Sequence, residues 1–193
     1  MAQTKKPEVR EAILQAAFDL FSRKGYTATT MTEIARTANM TVANLYVYFE
    51  SKLLIFYEIY RPWMIEQLEA LRQSVKKLRS PRTRLRRVFI GVWADIPAKD
   101  HSFANCMIEA LAVAPPGTQK PGRLLDLAES YIDDLIIECL PEEHPVRSNP
   151  RLLSHIIWMA FDGFVINRHI GDTRDIDALA DLMTGLLLGP DEI

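Results

Sequence analysis

Apolar residues recur along this chain at spacings of three and four, while the alternation that marks a strand is sparse, so the chain is constrained to bury itself as packed helices. The first run shows the pattern. Val9, Ile13, Ala16, Ala17, Leu20 and Phe21 form one stripe; Pro7 suits a first helical turn, Glu8 sits beside the positive helix end, and Gly25 stops the run. A longer run extends from Lys52 to about Leu78, with Leu54, Ile55, Tyr57, Ile59, Trp63, Ile65, Leu68 and Leu71 apolar. Pro62 lies inside it, where a kink or a break is expected. Beyond Ser80-Pro81, helices are expected at about 82–95, 103–113, 122–139, 150–170 and 175–188, punctuated by Pro97, Pro115-Pro116-Gly117, Pro141 and Gly171. The expected fold class is all-α, with about nine helices.

Between the first and the long run, two short helices are set by their caps. Thr30-Met31-Thr32-Glu33 fits a capping box, in which the threonine hydroxyl takes the N3 amide and the glutamate reaches back to the cap. Ile34, Ala35 and Ala38 give that helix its inner face, and Asn39 tolerates the left-handed turn that ends it. Thr41 then caps a third helix through Tyr48, and Ser51 caps the next. Two helices of about two turns joined by a tight turn, behind a longer supporting helix, outline a helix-turn-helix. The expected division is a DNA-binding domain at 1–50 and a second helical domain at 51–193.

Composition narrows the function. A chain of 193 residues buries a real core without covalent staples. Cys106 and Cys139 sit in apolar helical patterns without ligand spacing, so they read as reduced core thiols, and neither a metal nor a cofactor is expected. Lys5 and Lys6 are not followed by an apolar segment, and nowhere do 18 uncharged apolar residues run together. Neither export nor membrane spanning is expected, and the location expected is cytoplasmic.

The net charge of −2 hides an asymmetry: residues 1–60 carry 7 basic and 6 acidic side chains, 61–100 carry 10 and 4, and 101–193 carry 6 and 15. A nucleic-acid face therefore belongs in the first half. Arg72 to Arg87 holds eight basic residues and no acid. It reads as a solvated face, with a second nucleic-acid contact or a phosphate-bearing effector site as alternatives. Glu142-Glu143-His144 lies in a proline-flanked loop without a second ligand group, and His101, His155 and His169 have no nucleophile at a recognisable spacing. No catalytic constellation is present, and the chain is not expected to be an enzyme.

The segment Thr41 to Lys52, TVANLYVYFESK, carries the chemistry. A recognition helix presents its N-terminal residues to base edges, so small side chains there let the backbone approach the groove. Val42 and Ala43 suit thymine methyl groups, Asn44 suits the paired hydrogen bonds of an adenine edge, and Val47 lies one turn beyond. Tyr46 and Tyr48 diverge by about 200° on a helix, so at least one points outward, where a phenol binds phosphate oxygens. Leu45 and Phe49, four apart, form the buried face. The plainer alternatives stay open: Val42 and Val47 as core, Tyr46 packed inward, Asn44 solvated, and Lys52 an ordinary surface charge.

The series Ile13, Ala17, Phe21, Gly25, Thr29-Thr30, Ile34-Ala35, Leu45-Tyr46, Tyr48-Phe49, Ser51-Lys52 and Leu54 closely resembles the N-terminal domain of the TetR/AcrR family of bacterial transcriptional regulators over roughly residues 8–55. Two departures stand out, Asn39 in place of the more frequent turn glycine and Leu53 where a glutamate often follows Ser-Lys. The resemblance implies that the residues matching Thr30, Tyr46, Tyr48 and Lys52 hold the DNA backbone. With Thr32, Thr41, Val42, Ala43, Asn44 and Val47 they make up the expected DNA-binding set.

Beyond residue 55 the likeness rests on helix number and length, and implies a homodimer and an effector cavity. Trp158, Gly163, Phe164, Leu179, Met183 and Leu186, on two helices apolar around much of their circumference, are the expected dimer contacts, with an intramolecular core as the alternative. Phe89, Trp93, Phe103, Met107, Tyr131, Trp158 and Phe161 are the expected walls of an effector cavity, although such stripes also build plain cores. Glu109 and Asp162 interrupt apolar runs and need partners if buried. The function expected is a ligand-responsive regulator, a repressor that binds a palindromic double-stranded DNA operator and is released by a small molecule. The alternative is a helical small-molecule binding protein or enzyme lacking operator binding, which a gel shift on upstream DNA separates from the first.

Overall fold

The structure is a computed structural model that describes residues 6–100, 102–114, 124–171 and 174–189. His101 and the Pro115-Pro116-Gly117 break lie outside the described residues. Within them every regular element is helical: α1 (Pro7–Lys24), α2 (Met31–Thr37), α3 (Val42–Tyr48), α4 (Lys52–Lys76), α5 (Pro81–Ile90), a π turn (Gly91–Asp95), α6 (Ile96–Ala98), α7 (Phe103–Val113), α8 (Leu124–Cys139), a 3₁₀ turn (Pro145–Ser148), α9 (Pro150–His169) and α10 (Ile176–Leu188). The all-α expectation holds. The extra short element, α6, continues α5 through the π turn.

That π turn has a covalent cause. Pro97 has no N–H to return to the carbonyl four residues back, and Ile96 N–H reaches five back, to Gly91 O. Of the kink or break expected at Pro62, the break does not occur. Helix α4 runs on through it, and because Pro62 is exposed, water can take the carbonyl it fails to bond.

The chain packs as two compact units. One comprises the described residues up to Trp63 together with α7; the other comprises Met64–Asp100 and the described residues from Leu124 onward. In the first, the α1 stripe Ile13, Ala17 and Phe21 is buried along with Ile34 and Ala35 of α2, Leu45 of α3, and Ile55 and Phe56 of α4. Phe103 of α7 sits among rings of this unit, with centroids 5.4 Å from Phe18, 6.2 Å from Phe56, 5.9 Å from Tyr60 and 5.7 Å from Trp63. Edge-to-face contacts of this kind add to the area term.

In the second unit α8 packs on α9, and α5 on α8 and α10. A Cβ on Gly91 would lie 2.2 Å from Leu71 Cδ1, so any larger residue there would force the buried Leu71 side chain to move. Trp93 donates its indole N–H to Ile157 O at 2.9 Å and stacks on Phe89 at 4.8 Å. The basic segment is a solvated face only in part: Lys76, Lys77 and Arg79 are exposed, while four of its arginines are paired. Arg72 pairs with Asp134 at 2.9 Å, Arg84 with Glu138 at 3.6 Å, Arg86 with Asp177 at 2.7 Å and Asp181 at 2.5 Å, and Arg87 with Asp95 at 2.6 Å. Half of its eight cations are thus spent on the acids of α8, α10 and the π turn.

Candidate nucleic-acid interface

The reading head is built by three side-chain caps. Thr30 Oγ1 accepts from Glu33 N–H at 3.2 Å while Glu33 Oε2 accepts from Thr30 N–H at 3.0 Å, a complete capping box at the start of α2. Thr41 Oγ1 accepts from Asn44 N–H at 3.2 Å, and Ser51 Oγ from Leu54 N–H at 3.2 Å. Between α2 and α3 the backbone turns through Asn39 at φ 54°, the left-handed conformation the sequence requires there.

These caps fix which way α3 faces. Leu45 and Phe49 are buried, and the opposite side carries Tyr46 and Val47, 51% and 40% exposed, beside exposed Ala43 and half-buried Val42 and Asn44. Tyr46 is the outward tyrosine. Tyr48 is half-buried, and its hydroxyl accepts from Lys6 N–H at 3.2 Å. Thr30, Thr32 and Thr41 are exposed on the same head. Thr32, Arg36, Asn39, Met40, Thr41 and Val42 together line an open depression of about 460 Å³.

Lys52 has a task inside the fold. Its ammonium donates to Tyr26 O and Thr29 O, both at 2.7 Å, and lies 4.1 Å from the centre of the Tyr26 ring. Burial pulls its pKa below the usual lysine range, and Glu109 opposes that shift. Glu109 grips the same turn from α7: its Oε2 accepts from Thr27 N–H at 2.6 Å, and its Oε1 lies 3.0 Å from where a Cβ on Gly25 would stand. Gly25 is at φ +80°, a backbone conformation that favours glycine, and a side chain there would also press on the Glu109 carboxylate. Sequence gave Glu109 no such partner, because 82 residues separate it from Thr27.

Residues 13–59, the segment that forms α1 to the first turns of α4, match the family model described as bacterial regulatory proteins, tetR family. Over that segment the chain is similar to the TetR family. It is 41% identical over 69 residues to the HTH-type transcriptional repressor BepR of Brucella suis, a match covering 36% of this chain and 33% of that protein. A TetR-family regulator from Rhodococcus shares the fold over 94% of this chain and 99% of its own, with TM-score 0.70 and 18% identity. So does the regulator FadR from Bacillus subtilis, solved in complex with stearoyl-CoA, over 94% and 99%, with TM-score 0.63 and 20% identity. The chain matches about a third of that repressor's length, and the whole-chain likeness is one of fold.

The remaining TetR-type expectations fall in different places. Of the expected effector walls, Phe103 and half-buried Met107 lie in the first unit, while Phe89, Trp93, Tyr131, Trp158 and Phe161 lie in the second. Trp158 stacks on Phe161 at 4.8 Å, and Arg72 covers the Tyr131 ring at 5.0 Å. Of the expected dimer contacts, Trp158 is buried in its own chain and Phe164 packs on Trp93 at 5.5 Å. Leu186 is 70% exposed, Leu179 and Met183 are half-buried, and nothing lies within 4 Å of a Cβ built on Gly163.

Both cysteines are buried and outside any disulfide, and burial pushes the Cys139 thiol up to about 11. His144 uses both ring nitrogens on backbone groups, at Leu187 O and Val146 N–H. Among the described residues no cluster of His, Cys, Asp or Glu has metal-binding geometry, and no helix is long and apolar enough to cross a membrane.

Proposed function

We propose that this chain is a TetR-family transcriptional repressor that binds a palindromic operator as a homodimer in the cytoplasm and is released by a small molecule. One observation carries the DNA-reading part: the side of α3 opposite Leu45 leaves Tyr46, Val47 and Ala43 in water, an apolar and phenolic face that the fold itself does not use. Val42 and Ala43 meet thymine methyls, Asn44 reads an adenine edge, and Thr30, Thr32, Thr41, Val47, Tyr46 and Tyr48 complete the contact surface. Lys52 serves that surface by fixing the turn before α2.

The homodimer is supported by the apolar residues left exposed on α9 and α10, and it supplies two reading heads for two half-sites. An apolar effector is supported by the FadR fold neighbour that holds stearoyl-CoA, and by the aromatic rings concentrated in the second unit. The effector lowers operator occupancy by binding the DNA-incompetent state more tightly. The role is regulatory and uses no catalytic group or cofactor.

A gel shift with duplex from the gene's own upstream region tests this reading. It expects a discrete complex whose affinity falls steeply with salt and which acyl-CoA weakens. A chain that binds no duplex at any salt concentration is not a repressor.

A further inference from the structure

We propose that Arg36 is a phosphate anchor of the reading head, supplying affinity for double-stranded DNA that the expected contact set lacks. The inference rests on the DNA-binding reading above. Thr30, Thr32, Thr41, Val42, Ala43, Asn44, Tyr46, Val47 and Tyr48 carry no cation, and Lys52, the one cation of that set, is tied to two carbonyls and an aromatic face. DNA affinity depends on neutralised phosphates. Some other cation must therefore face the duplex.

Arg36 meets the requirement. It is exposed near the end of α2, one turn beyond Thr32, and both line the depression that Thr41 and Val42 close from the start of α3. Of the side chains lining that depression it is the only cation. The ordinary fate of such an arginine is an ion pair with an acid one turn back on its own helix. Glu33 is that acid, and it is unavailable: one oxygen holds Lys24 Nζ at 2.6 Å and the other closes the capping box on Thr30. Among the described residues no carboxylate pairs with the Arg36 guanidinium. The capping box thus starts α2 and at the same time leaves a guanidinium free on the face that α3 turns toward DNA. The first helix of a helix-turn-helix crosses the phosphate backbone, which makes the partner a phosphate oxygen and not a base edge.

The test uses the full chain and two duplexes of equal length, one selected by the wild-type protein from a random pool and one of arbitrary sequence. Arg36→Ala is expected to weaken both by about tenfold at low salt, and to reduce the slope of log affinity against log salt by about 0.9 for each protomer bound. Arg36→Lys keeps the slope, and the thermal melt of both variants matches wild type. Should Arg36→Ala melt early, Arg36→Gln reads the same slope with the side-chain stem retained. An unchanged slope in a wild-type protein that binds DNA overturns the anchor alone, as does a loss confined to one base pair of the selected duplex. A wild-type chain that binds neither duplex overturns the repressor reading, and the anchor falls with it.

Discussion

Glu33 uses both carboxylate oxygens, Oε1 on Lys24 and Oε2 on the Thr30 amide and hydroxyl. The Lys24 contact first, and the Thr30 bonds after it, hold its carboxyl down at about 2, against an ordinary 4.5. The unfolded chain therefore binds the extra proton first, so the stability that Glu33 contributes is complete above pH 4.5 and is lost as pH falls toward 2. Urea midpoints followed through that window should decline more in wild type than in Glu33→Gln. Asp162 has the opposite sign. Burial raises its carboxyl to about 6 from 3.8, and among the described residues no donor reaches it. Its contribution is favourable below 3.8 and is lost as pH rises through 6, so Asp162→Asn should gain on the order of 1 kcal/mol at neutral pH, after allowance for its partial contact with solvent. At the proposed DNA face, Asn44→Ala should cost about 1–3 kcal/mol of preference at one operator base pair while leaving binding to random duplex unchanged. Equal losses on both would take Asn44 off the bases.

At the scale of elements, the reading head is stabilised from outside its own stretch of sequence. Helix α7 contributes Glu109 to the turn between α1 and α2, and a hydrogen bond from an amide to a carboxylate contributes about 1–2 kcal/mol in a half-exposed setting. Glu109→Ala should lower the melting temperature and speed hydrogen exchange at the Thr27 amide, whereas Glu109→Gln, which keeps an acceptor, should preserve most of the protection. If exchange at Thr27 does not change, the carboxylate is not what holds the turn. The short helices were legible because their causes are local: the Thr30, Thr41 and Ser51 hydroxyls act three residues away, and Asn39 acts on its own φ. What escaped was long-range. Nothing near Lys52 announces that its ammonium turns inward to carbonyls 23 and 26 residues back, and nothing near Arg86 announces Asp177 and Asp181, 91 and 95 residues on. The break that Pro62 offered as an alternative to a kink is absent for a related reason, since Tyr60 and Met64 are buried on either side and outweigh one lost bond.

For the whole molecule, the residues left over after folding are the informative ones. Leu152, Ile156, Met159, Ile166 and Ile170 are exposed along one seam of α9 at spacings of four, three, seven and four, and Gly163 fills the position missing from that seam. Leu182 and Leu186 are exposed on α10. Gly163 meets no neighbour within its own chain, so its cost to the helix is offset only if a second chain approaches there. In the proposed homodimer such a seam makes a coiled-coil-like contact, and a carboxylate placed in its middle would be buried there unpaired. Met159→Glu combined with Leu186→Glu should therefore give a folded monomer, with wild-type helical circular dichroism and half the sedimenting mass. Its affinity for a palindromic duplex should fall on the order of 100-fold, toward that of one head on one half-site, because the second contact is no longer intramolecular. Affinity for a duplex carrying a single half-site should change little. A double variant that still sediments as a dimer would place the pairing surface away from α9 and α10, and the exposure of their apolar seam would then need a different partner.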